Sequence, residues 1–216
     1  DAKFLGIVAL SFEISLSATV IAALFGLPLG ALLAVRPFRG SRALSVVLSA
    51  LMGLPPVVVG LLIYLLLSRA GPLGSAGLLF TPAAMVIAQT LLVIPIVAAL
   101  ARETVAEAWN EYAEQLRSLG VSTRQSVVTL LWDTRHALAT VVLAGFGRAA
   151  AEVGAVMIVG GNIDGVTRVM TTAIALETSK GDLPLALGLG FVLIALVVIL
   201  NVIILGLRGY AAQRLG

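Results

Sequence analysis

Five long apolar runs occupy most of this chain and constrain its fold more than any other feature. They cover residues 4–35, 44–68, 82–101, 137–159 and 185–207. Each run reaches or exceeds the roughly 20 residues that a helix needs to cross a hydrocarbon core of about 30 Å. Hydrophobic residues make up 60% of the chain and charged residues 12%, which places it outside the range of soluble domains. We therefore expect an all-α polytopic membrane protein, with five transmembrane helices in one domain over residues 1–216.

The distribution of basic residues predicts the orientation of this domain, because Lys and Arg are enriched in cytoplasmic loops. The segments 36–43, 102–136 and 208–216 contain nine of them, whereas the segments at the other ends of the helices contain four. We therefore place the long loop 102–136 and the C-terminus in the cytoplasm, and the N-terminus and the loop 160–184 outside. The net charge of +3 follows from this topology and predicts no nucleic-acid partner. Residue 1 is Asp, and we expect that some N-terminal sequence is absent.

Several kinds of chemistry are disfavoured by residue types that the chain lacks. It has no Cys and a single histidine, His136, which argues against thiolate sites and histidine clusters for metals. Neither lysine, Lys3 or Lys180, follows a glycine, and there is no phosphate-binding G-x-x-x-x-G-K-[ST] loop. We therefore expect a chain with no catalytic residues that binds no metal and no cofactor.

Proline and glycine interrupt the apolar runs at defined positions. Gly26 and Pro28 predict a bend in the first helix, and GLPP at residues 53–56 is the strongest helix-breaking signal in the chain. A bilayer tolerates a broken helix where the freed backbone groups pack on protein or line a cavity. Pro55 and Pro56 are therefore interpreted either as a packing kink or as a bend beside a translocation path.

The segment after the fourth run, residues 160–182, is too polar to span the membrane. Its first residues, Gly160, Gly161 and Asn162, permit tight or left-handed turns. The stretch from Thr167 onward predicts a short helix on the outer face. Positive charge near the outer mouth attracts anions, and the local candidates are Arg168, Thr167, Thr171 and Thr172. The alternative is that Arg168 lies on a solvated surface.

Two ionisable residues are predicted inside the membrane, in the fourth apolar run. Arg148 and Glu152 are four residues apart, which puts them on one face of a helix. A charge at the bilayer centre costs on the order of 3 kcal/mol, so both side chains should face the bundle and find partners. We interpret them either as a structural ion pair or as part of a gate or pathway lining. Glu13 in the first helix is a second candidate partner of Arg148.

A polar island separates the third and fourth runs. Residues 102–136 contain nine of the chain's 25 charged residues. We call residues 111–125 of this island the docking segment, because a large charged loop in a membrane protein is typical of a contact with a soluble partner. The alternative is an amphipathic segment that lies at the membrane interface. Such segments are usually rich in Lys, and residues 102–136 contain none.

The docking segment predicts a helix, a tight turn and a second helix. The spacing of Leu116 and Leu119 is typical of one apolar stripe on a short amphipathic helix. Gly120 fits the C′ position that ends this helix. Ser122 and Gln125 then form an S-x-x-Q capping box, which predicts the start of the second helix.

These residues resemble the permease subunits of binding-protein-dependent ABC importers. In that family a cytoplasmic loop carries a motif that begins Glu-Ala-Ala, has Gly six residues after the Glu, and continues to Ile-x-Leu-Pro. Glu114 and Gly120 keep this spacing in EQLRSLG. Gln115 and Leu116 replace the two alanines, and LLWD at residues 130–133 replaces Ile-x-Leu-Pro.

Longer blocks resemble the tungstate-type members of this family over nearly the whole chain. The blocks are GLPPVVVGLLIYLLLSRAGPLG, FTPAAMVIAQTLLVIPIVAAL and AGFGRAAAEVGAVMIVGGNIDGVTRVMTTAIALETSKGD. Related molybdate and sulfate permeases share a Glu-x-Gly-Ala arrangement like that of Glu152, Gly154 and Ala155. The resemblance therefore implies an ATP-driven importer of an oxyanion, tungstate in the first place, with molybdate or sulfate as the alternative cargo.

The resemblance also implies the fold, the partners and the site residues. The fold is that of a type I ABC importer permease in the cytoplasmic membrane of a prokaryote, surrounded by membrane lipid. Its partners are a second copy of the chain, two ATP-binding cassette subunits that use ATP and Mg²⁺, and a periplasmic or surface oxyanion-binding protein. Contact with the ATPase is expected at Glu111, Glu114, Leu116, Arg117, Leu119, Gly120 and Ser122. The pathway or gate candidates are Pro55, Pro56, Arg148, Glu152, Gly160, Gly161, Asn162 and Arg168.

A channel or carrier that needs no ATPase is the alternative class of protein. Such proteins usually contain inverted repeats, and this sequence shows no detectable repeat. A docking segment also has little use in an autonomous carrier. We therefore favour the importer permease.

Overall fold

The computed structural model describes residues 2–36 and 38–215, which form nine α-helices and no strand. The helices are α1 (Ala2–Val35), α2 (Ser41–Met52), α3 (Pro56–Leu67), α4 (Pro82–Ser118), α5 (Thr123–Asp133), α6 (Arg135–Ala150), α7 (Gly154–Gly160), α8 (Met170–Lys180) and α9 (Leu183–Leu215). A short 3-10 turn, Gly74–Ala76, lies between α3 and α4. The all-α class predicted from the apolar runs is confirmed.

Three of these helices are long and apolar enough to cross a membrane by themselves. The helical stretches that meet this criterion are Lys3–Val35, Pro82–Ser118 and Leu183–Ile203, and the last part of the second one is polar. Two more spans arise if two bent pairs are each counted as one. The first pair is α2 and α3, bent by 101°, and the second is α5 and α6, bent by 78°. Length and composition therefore allow up to five spans, and two of these are bent helix pairs.

The helix break predicted at GLPP is confirmed. Helix α2 ends at Met52, and α3 begins at Pro56. Pro56 occupies the first helical position, where its missing N–H leaves no hydrogen bond unmade. Pro28 behaves differently, because α1 continues through it from Ala2 to Val35.

Two helices end at other residues than the sequence predicts. The fourth apolar run predicts one helix over residues 137–159, but α6 ends at Ala150, and residues 151–153 separate it from α7. The helix before the docking turn is predicted to be short, but it is the last part of α4. Residues 102–118 are rich in Ala, Glu, Arg and Gln, which favour helix, so the polar boundary at residue 101 is not a helix end.

The core of the chain is centred on the long contact between α1 and α4. Two glycines of α1 permit a close approach. A Cβ atom at Gly26 would meet Val97 Cγ1 at 2.9 Å, and one at Gly30 would meet the Arg102 nitrogen at 2.8 Å and the Ala98 carbonyl oxygen. Small residues allow such backbone contact between membrane helices. Helices α3 and α7 pack on one half of α4, and α5 and α6 pack on the other.

Gly30→Ala is expected to lower the midpoint of thermal unfolding of the detergent-solubilised permease. The added methyl group meets backbone atoms of α4, so the two helices must separate. Overpacking of this kind costs about 1–3 kcal/mol. Gly6→Ala on the same helix is the matched control, because a Cβ atom there meets nothing within 4 Å. Equal unfolding midpoints of the two variants would contradict the close contact between α1 and α4.

Candidate functional site

A buried carboxylate lies in the α6–α7 break, which we define as residues 151–153. Glu152 is 2% exposed, and its Oε2 atom accepts a hydrogen bond from Arg148 Nη1 at 2.6 Å. Its Oε1 atom accepts from the N–H of Ala155 at 3.0 Å, in the first turn of α7. The predicted pairing of Arg148 with Glu152 is therefore confirmed. The prediction that both lie on one helical face is wrong, because the chain leaves the helix after Ala150.

Side chains from two other helices hold the backbone of this break. Gln89 of α4 donates from Nε2 to the Ala149 carbonyl oxygen at 2.9 Å. Thr171 of α8 donates from Oγ1 to the Glu152 carbonyl oxygen at 2.8 Å. Carbonyl groups near a break in a membrane helix need partners of this kind. Gln89 was not predicted as a site residue, although a single amide within an apolar run is a signal that could have identified it.

The two interrupted regions of the chain meet in space. A Cβ atom at Gly154, the first residue of α7, would meet Val57 Cγ2 at 2.8 Å. A Cβ atom at Gly60 would meet the Ala155 Cα atom at 2.7 Å. These glycines therefore permit contact between the beginnings of α3 and α7. The predicted GLPP break and the α6–α7 break, which the sequence does not predict, form one region.

Arg148 and Glu152 differ in their access to the surface. The Arg148 side chain is 30% exposed, whereas that of Glu152 is 2% exposed. An arginine carries five N–H donors and keeps its charge in proteins. The pair therefore combines a buried carboxylate, bonded on both oxygens, with a partly accessible guanidinium.

The turn after α7 has the backbone geometry that its sequence predicts. Gly161 and Asn162 have φ angles of 71° and 50°, while Gly160 is the last residue of α7. Thr167 donates from Oγ1 to the Gly160 carbonyl oxygen at 2.6 Å. The same hydroxyl accepts from the N–H of Ile163 at 2.9 Å. One buried threonine therefore closes this turn.

Arg168 is ion-paired within this segment. Its Nη1 atom lies 3.0 Å from Asp164 Oδ1, and Lys3 lies 3.6 Å from the other oxygen of the same carboxylate. The threonines proposed to accompany Arg168 are buried, and each donates its hydroxyl to a backbone carbonyl. The hydroxyl groups of these threonines therefore already donate their hydrogen bonds within the protein. The short helix predicted here begins at Met170 as α8.

The first half of the docking segment ends in the turn that its glycine predicts. Gly120 has a φ angle of 67°. Its N–H donates to the Arg117 carbonyl oxygen at 3.0 Å, and the N–H of Val121 donates to the Leu116 carbonyl oxygen at 3.1 Å. This is the hydrogen-bond pattern of a Schellman motif with glycine at C′. Glycine adopts this φ without a Cβ penalty.

The second half of the docking segment begins with the predicted capping box. The N–H of Gln125 donates to Ser122 Oγ at 3.4 Å, and the N–H of Ser122 donates to Gln125 Oε1 at 3.0 Å. Helix α5 follows from Thr123. Because both ends of the turn are capped by local bonds, the docking segment has a defined shape in the isolated chain.

Apolar side chains are exposed in and after this turn. Leu119 is 70% exposed and Trp132 is 69% exposed, whereas Leu130 is buried and anchors α5 to the core. The carboxylates of Glu111 and Glu114 lie on the same exposed part of the chain. Exposed apolar residues beside polar ones are typical of a protein contact surface.

Neighbouring charges also act on the aromatic residues of this region. The Glu111 carboxylate, and after it Asp133, raises the pKa of the Tyr112 phenol above its ordinary value. The Arg117 guanidinium lies 5.3 Å from the centroid of the Trp109 ring, within the range of a cation–π contact.

The predicted site residues form two groups that α4 connects. One group surrounds the α6–α7 break, where α4 contributes Gln89. The other is the docking segment, where α4 ends at Ser118 and Leu119 follows as its C-cap. These two positions are about 45 Å apart along the helix at 1.5 Å per residue. Over residues 2–36 and 38–215 there is no group of three or more His, Cys, Asp or Glu residues that could hold a metal ion.

Interrupted membrane helices that meet inside a bundle are a feature of membrane transport proteins. Comparison with known families shows which kind of transport protein this is. Residues 26–216 match the family described as the binding-protein-dependent transport system inner membrane component. The chain belongs to this family.

Individual relatives cover most of the chain. The tungstate uptake system permease protein TupB of Peptoclostridium acidaminophilum is 42% identical over 96% of this chain and 91% of its own length. A probable anion ABC transporter permease protein of Haloferax volcanii is 38% identical over 90% of this chain and 86% of its own length. TupB of Campylobacter jejuni is 41% identical over 77% of this chain and 70% of its own length.

These matches confirm the family that the docking segment and the longer sequence blocks indicate. The chain has the fold of a type I ABC importer permease and is a multi-pass protein of the cytoplasmic membrane. Its relatives are permease proteins of transport systems, which agrees with a non-catalytic subunit.

Proposed function

We propose that this chain is the membrane-spanning subunit of an ATP-driven importer that carries tungstate into the cytoplasm. The observation that carries the proposal is 42% identity, over 96% of the chain, to a protein named as a tungstate uptake permease. A second relative is named for an anion without further detail, which agrees with this cargo. Molybdate and sulfate are also tetrahedral anions with two negative charges, so they are the alternative cargoes of the same importer.

The other subunits follow from the kind of transport system to which the family belongs. Five spans are few for a complete pathway, so two copies of the chain face each other across a two-fold axis. This chain contains no phosphate-binding loop. ATP and Mg²⁺ are therefore bound by separate subunits, the two ATPases. An oxyanion-binding protein delivers the cargo from outside. The nine-to-four distribution of basic residues supports a cytoplasmic position of the docking segment.

The docking segment is the proposed contact with the ATPase subunit. Its capped turn presents a fixed shape, and its exposed Leu119 supplies apolar area for a groove in the partner. The residues that we assign to this contact are Glu111, Glu114, Leu116, Arg117, Leu119, Gly120 and Ser122. A channel or carrier without an ATPase would leave this surface without a role.

The proposed gate lies where α3 and α7 meet. Closure of the ATPase pair displaces the docking segment, and α4 carries this displacement to Gln89, whose amide holds the α6–α7 break. Arg148 supplies positive charge for a doubly negative cargo. Glu152 compensates this charge when no cargo is present. The turn at Gly160, Gly161 and Asn162, with Arg168, lies at the far end of α7 and forms the outer rim of the gate.

Uptake of competing oxyanions tests the cargo. Cells that contain the complete transporter are offered tungstate, molybdate and sulfate together, and accumulated W, Mo and S are measured by mass spectrometry. We expect tungstate to accumulate in preference to the other two. Cells with a catalytically inactive ATPase partner are the control and should accumulate none of them through this route. Preferred uptake of molybdate or sulfate would change the cargo, and uptake without an active ATPase would support the channel or carrier class.

A further inference from the structure

A cavity of about 550 Å³ lies between α2 and the polar part of α4. Helix α2 contributes Arg42 and Ser49 to its lining, and α4 contributes Arg102, Trp109 and Arg117. The cavity lies on the side of the bundle where the chain leaves its apolar runs. It therefore combines three cationic side chains with an aromatic ring at the edge of the membrane.

These three arginines have no carboxylate partner among the described residues. The ion pairs found there involve Lys3, Arg148, Arg168 and Lys180. Two carboxylates from the same stretch of α4, Glu103 and Glu107, line a different cavity, which α4 shares with α6. Like charges that share a site repel one another, so an anion bound between the arginines lowers the electrostatic energy of the cavity.

The surroundings of the cavity match the cytoplasmic edge of a bilayer. Arg102 directly follows the apolar run that ends at residue 101, and Trp109 lies two helical turns further on. Tryptophan is enriched at this level of membrane proteins. Val46, which also lines the cavity, is 64% exposed, and Val47 is 49% exposed. Apolar side chains are therefore exposed directly beside the cationic ones, as in helices that lie at a lipid surface.

We propose that this cavity binds the phosphate group of an anionic phospholipid of the cytoplasmic leaflet. Arg42 and Arg102 pair with the phosphate oxygens, the Ser49 hydroxyl donates to the headgroup, and the acyl chains lie along Val46 and Val47. Basic pockets between membrane helices on the cytoplasmic side bind lipid headgroups in this way. The choice of leaflet rests on the orientation given in the proposed function.

The alternative ligand of this cavity is a soluble oxyanion, which has a similar negative charge but no acyl chains. It would interact with the arginines but gain nothing from the exposed valines, because hydrophobic stabilisation requires burial of apolar area. The observations therefore favour the lipid. Because Arg117 belongs to both the cavity and the docking segment, a bound lipid would also hold the docking segment against α2.

Native mass spectrometry of the complete transporter tests this site, with phosphatidylglycerol and phosphatidylcholine as probes. Each arginine near an anionic headgroup contributes about fivefold to binding, so three predict a preference for phosphatidylglycerol of roughly 100-fold. The double variant Arg42→Gln and Arg102→Gln should bind phosphatidylglycerol about 25-fold more weakly than the wild type. Arg39→Gln is the matched control, because Arg39 is exposed on the neighbouring loop and does not line the cavity.

Three results would overturn the proposal. The first is unchanged binding of phosphatidylglycerol by the double variant. The second is displacement of the lipid by millimolar phosphate or tungstate, which would assign the cavity to a soluble anion. If the double variant does not assemble, a photoreactive phosphatidylglycerol is cross-linked to the wild-type transporter. The third contradicting result is cross-linking of this lipid only to residues outside 41–49 and 102–117. None of these measurements requires transport, so failure of the lipid site and failure of the tungstate assignment are distinguishable.

Discussion

Gly120→Val is expected to reduce ATP-driven tungstate uptake about tenfold or more, while the permease remains in the membrane. Gly120 has a φ angle of 67°, which a β-branched residue resists. A left-handed backbone costs about 1–2 kcal/mol per residue with a side chain, and each 1.4 kcal/mol is a factor of about ten in binding. A Cβ atom at this position meets nothing within 4 Å, so the effect arises from the backbone of the turn. Uptake and co-purification of the ATPase subunit measure it.

Two further variants test whether the loss of uptake depends on where the backbone strain is introduced. Gly77→Val introduces similar backbone strain at a φ angle of 61°, in the loop between α3 and α4, and should leave uptake near that of the wild type. Gly120→Asn should retain most of the uptake, because asparagine tolerates positive φ. Normal uptake in Gly120→Val, or an equal loss in Gly77→Val, would contradict the assignment of the docking segment.

Glu152→Ala is expected to lower the stability of the permease and to abolish transport. The substitution leaves Arg148 without its partner and removes the acceptor of the Ala155 N–H. Removal of one member of a buried pair costs about 3–5 kcal/mol. The lower end of this range applies here, because the Arg148 side chain is 30% exposed. Thermal unfolding of the purified permease and tungstate uptake are the measurements.

Two companion variants distinguish a structural pair from a gate. Glu152→Gln keeps an oxygen acceptor for the Ala155 N–H but removes the charge, so it should lose less stability than Glu152→Ala. Replacement of both partners, Arg148→Leu with Glu152→Leu, removes the uncompensated charge and should recover stability. Recovered stability without transport would support the gate, whereas recovered transport would make the pair structural. Wild-type stability and uptake in Glu152→Ala would show that the pair is dispensable.

The features that could be predicted from sequence are those with local causes. Gly120, Ser122 and Gln125 lie within six consecutive residues, and their hydrogen bonds join near neighbours in the chain. The GLPP break is similar, because proline acts on its own backbone and on the preceding turn. Each of these signals can be evaluated without knowledge of the remaining chain.

The features that could not be predicted have distant causes. Residues 151–153 are Ala-Glu-Val, which contain no helix breaker, and the side chains that hold the break come from α4 and α8. Arg168 was predicted either to attract anions at the outer mouth or to lie on a solvated surface. In the structure it pairs with Asp164, which also pairs with Lys3, a residue distant in sequence. The length of α4 was missed for another reason. Hydropathy marks where the membrane ends, whereas helix propensity and capping decide where the helix ends.

Helix α4 crosses the boundary between apolar and polar sequence without ending, and this makes it a lever. If the helix pivots near Gln89, an arm of about 45 Å extends to Leu119. A tilt of about 5° then moves the tip by about 4 Å over that length. The Gln89 amide lies at the fulcrum, where translation is smallest and rotation changes the angle of its hydrogen bond to Ala149. Ångström-scale movement at the ATPase would therefore reach the break in the bundle as a change of orientation.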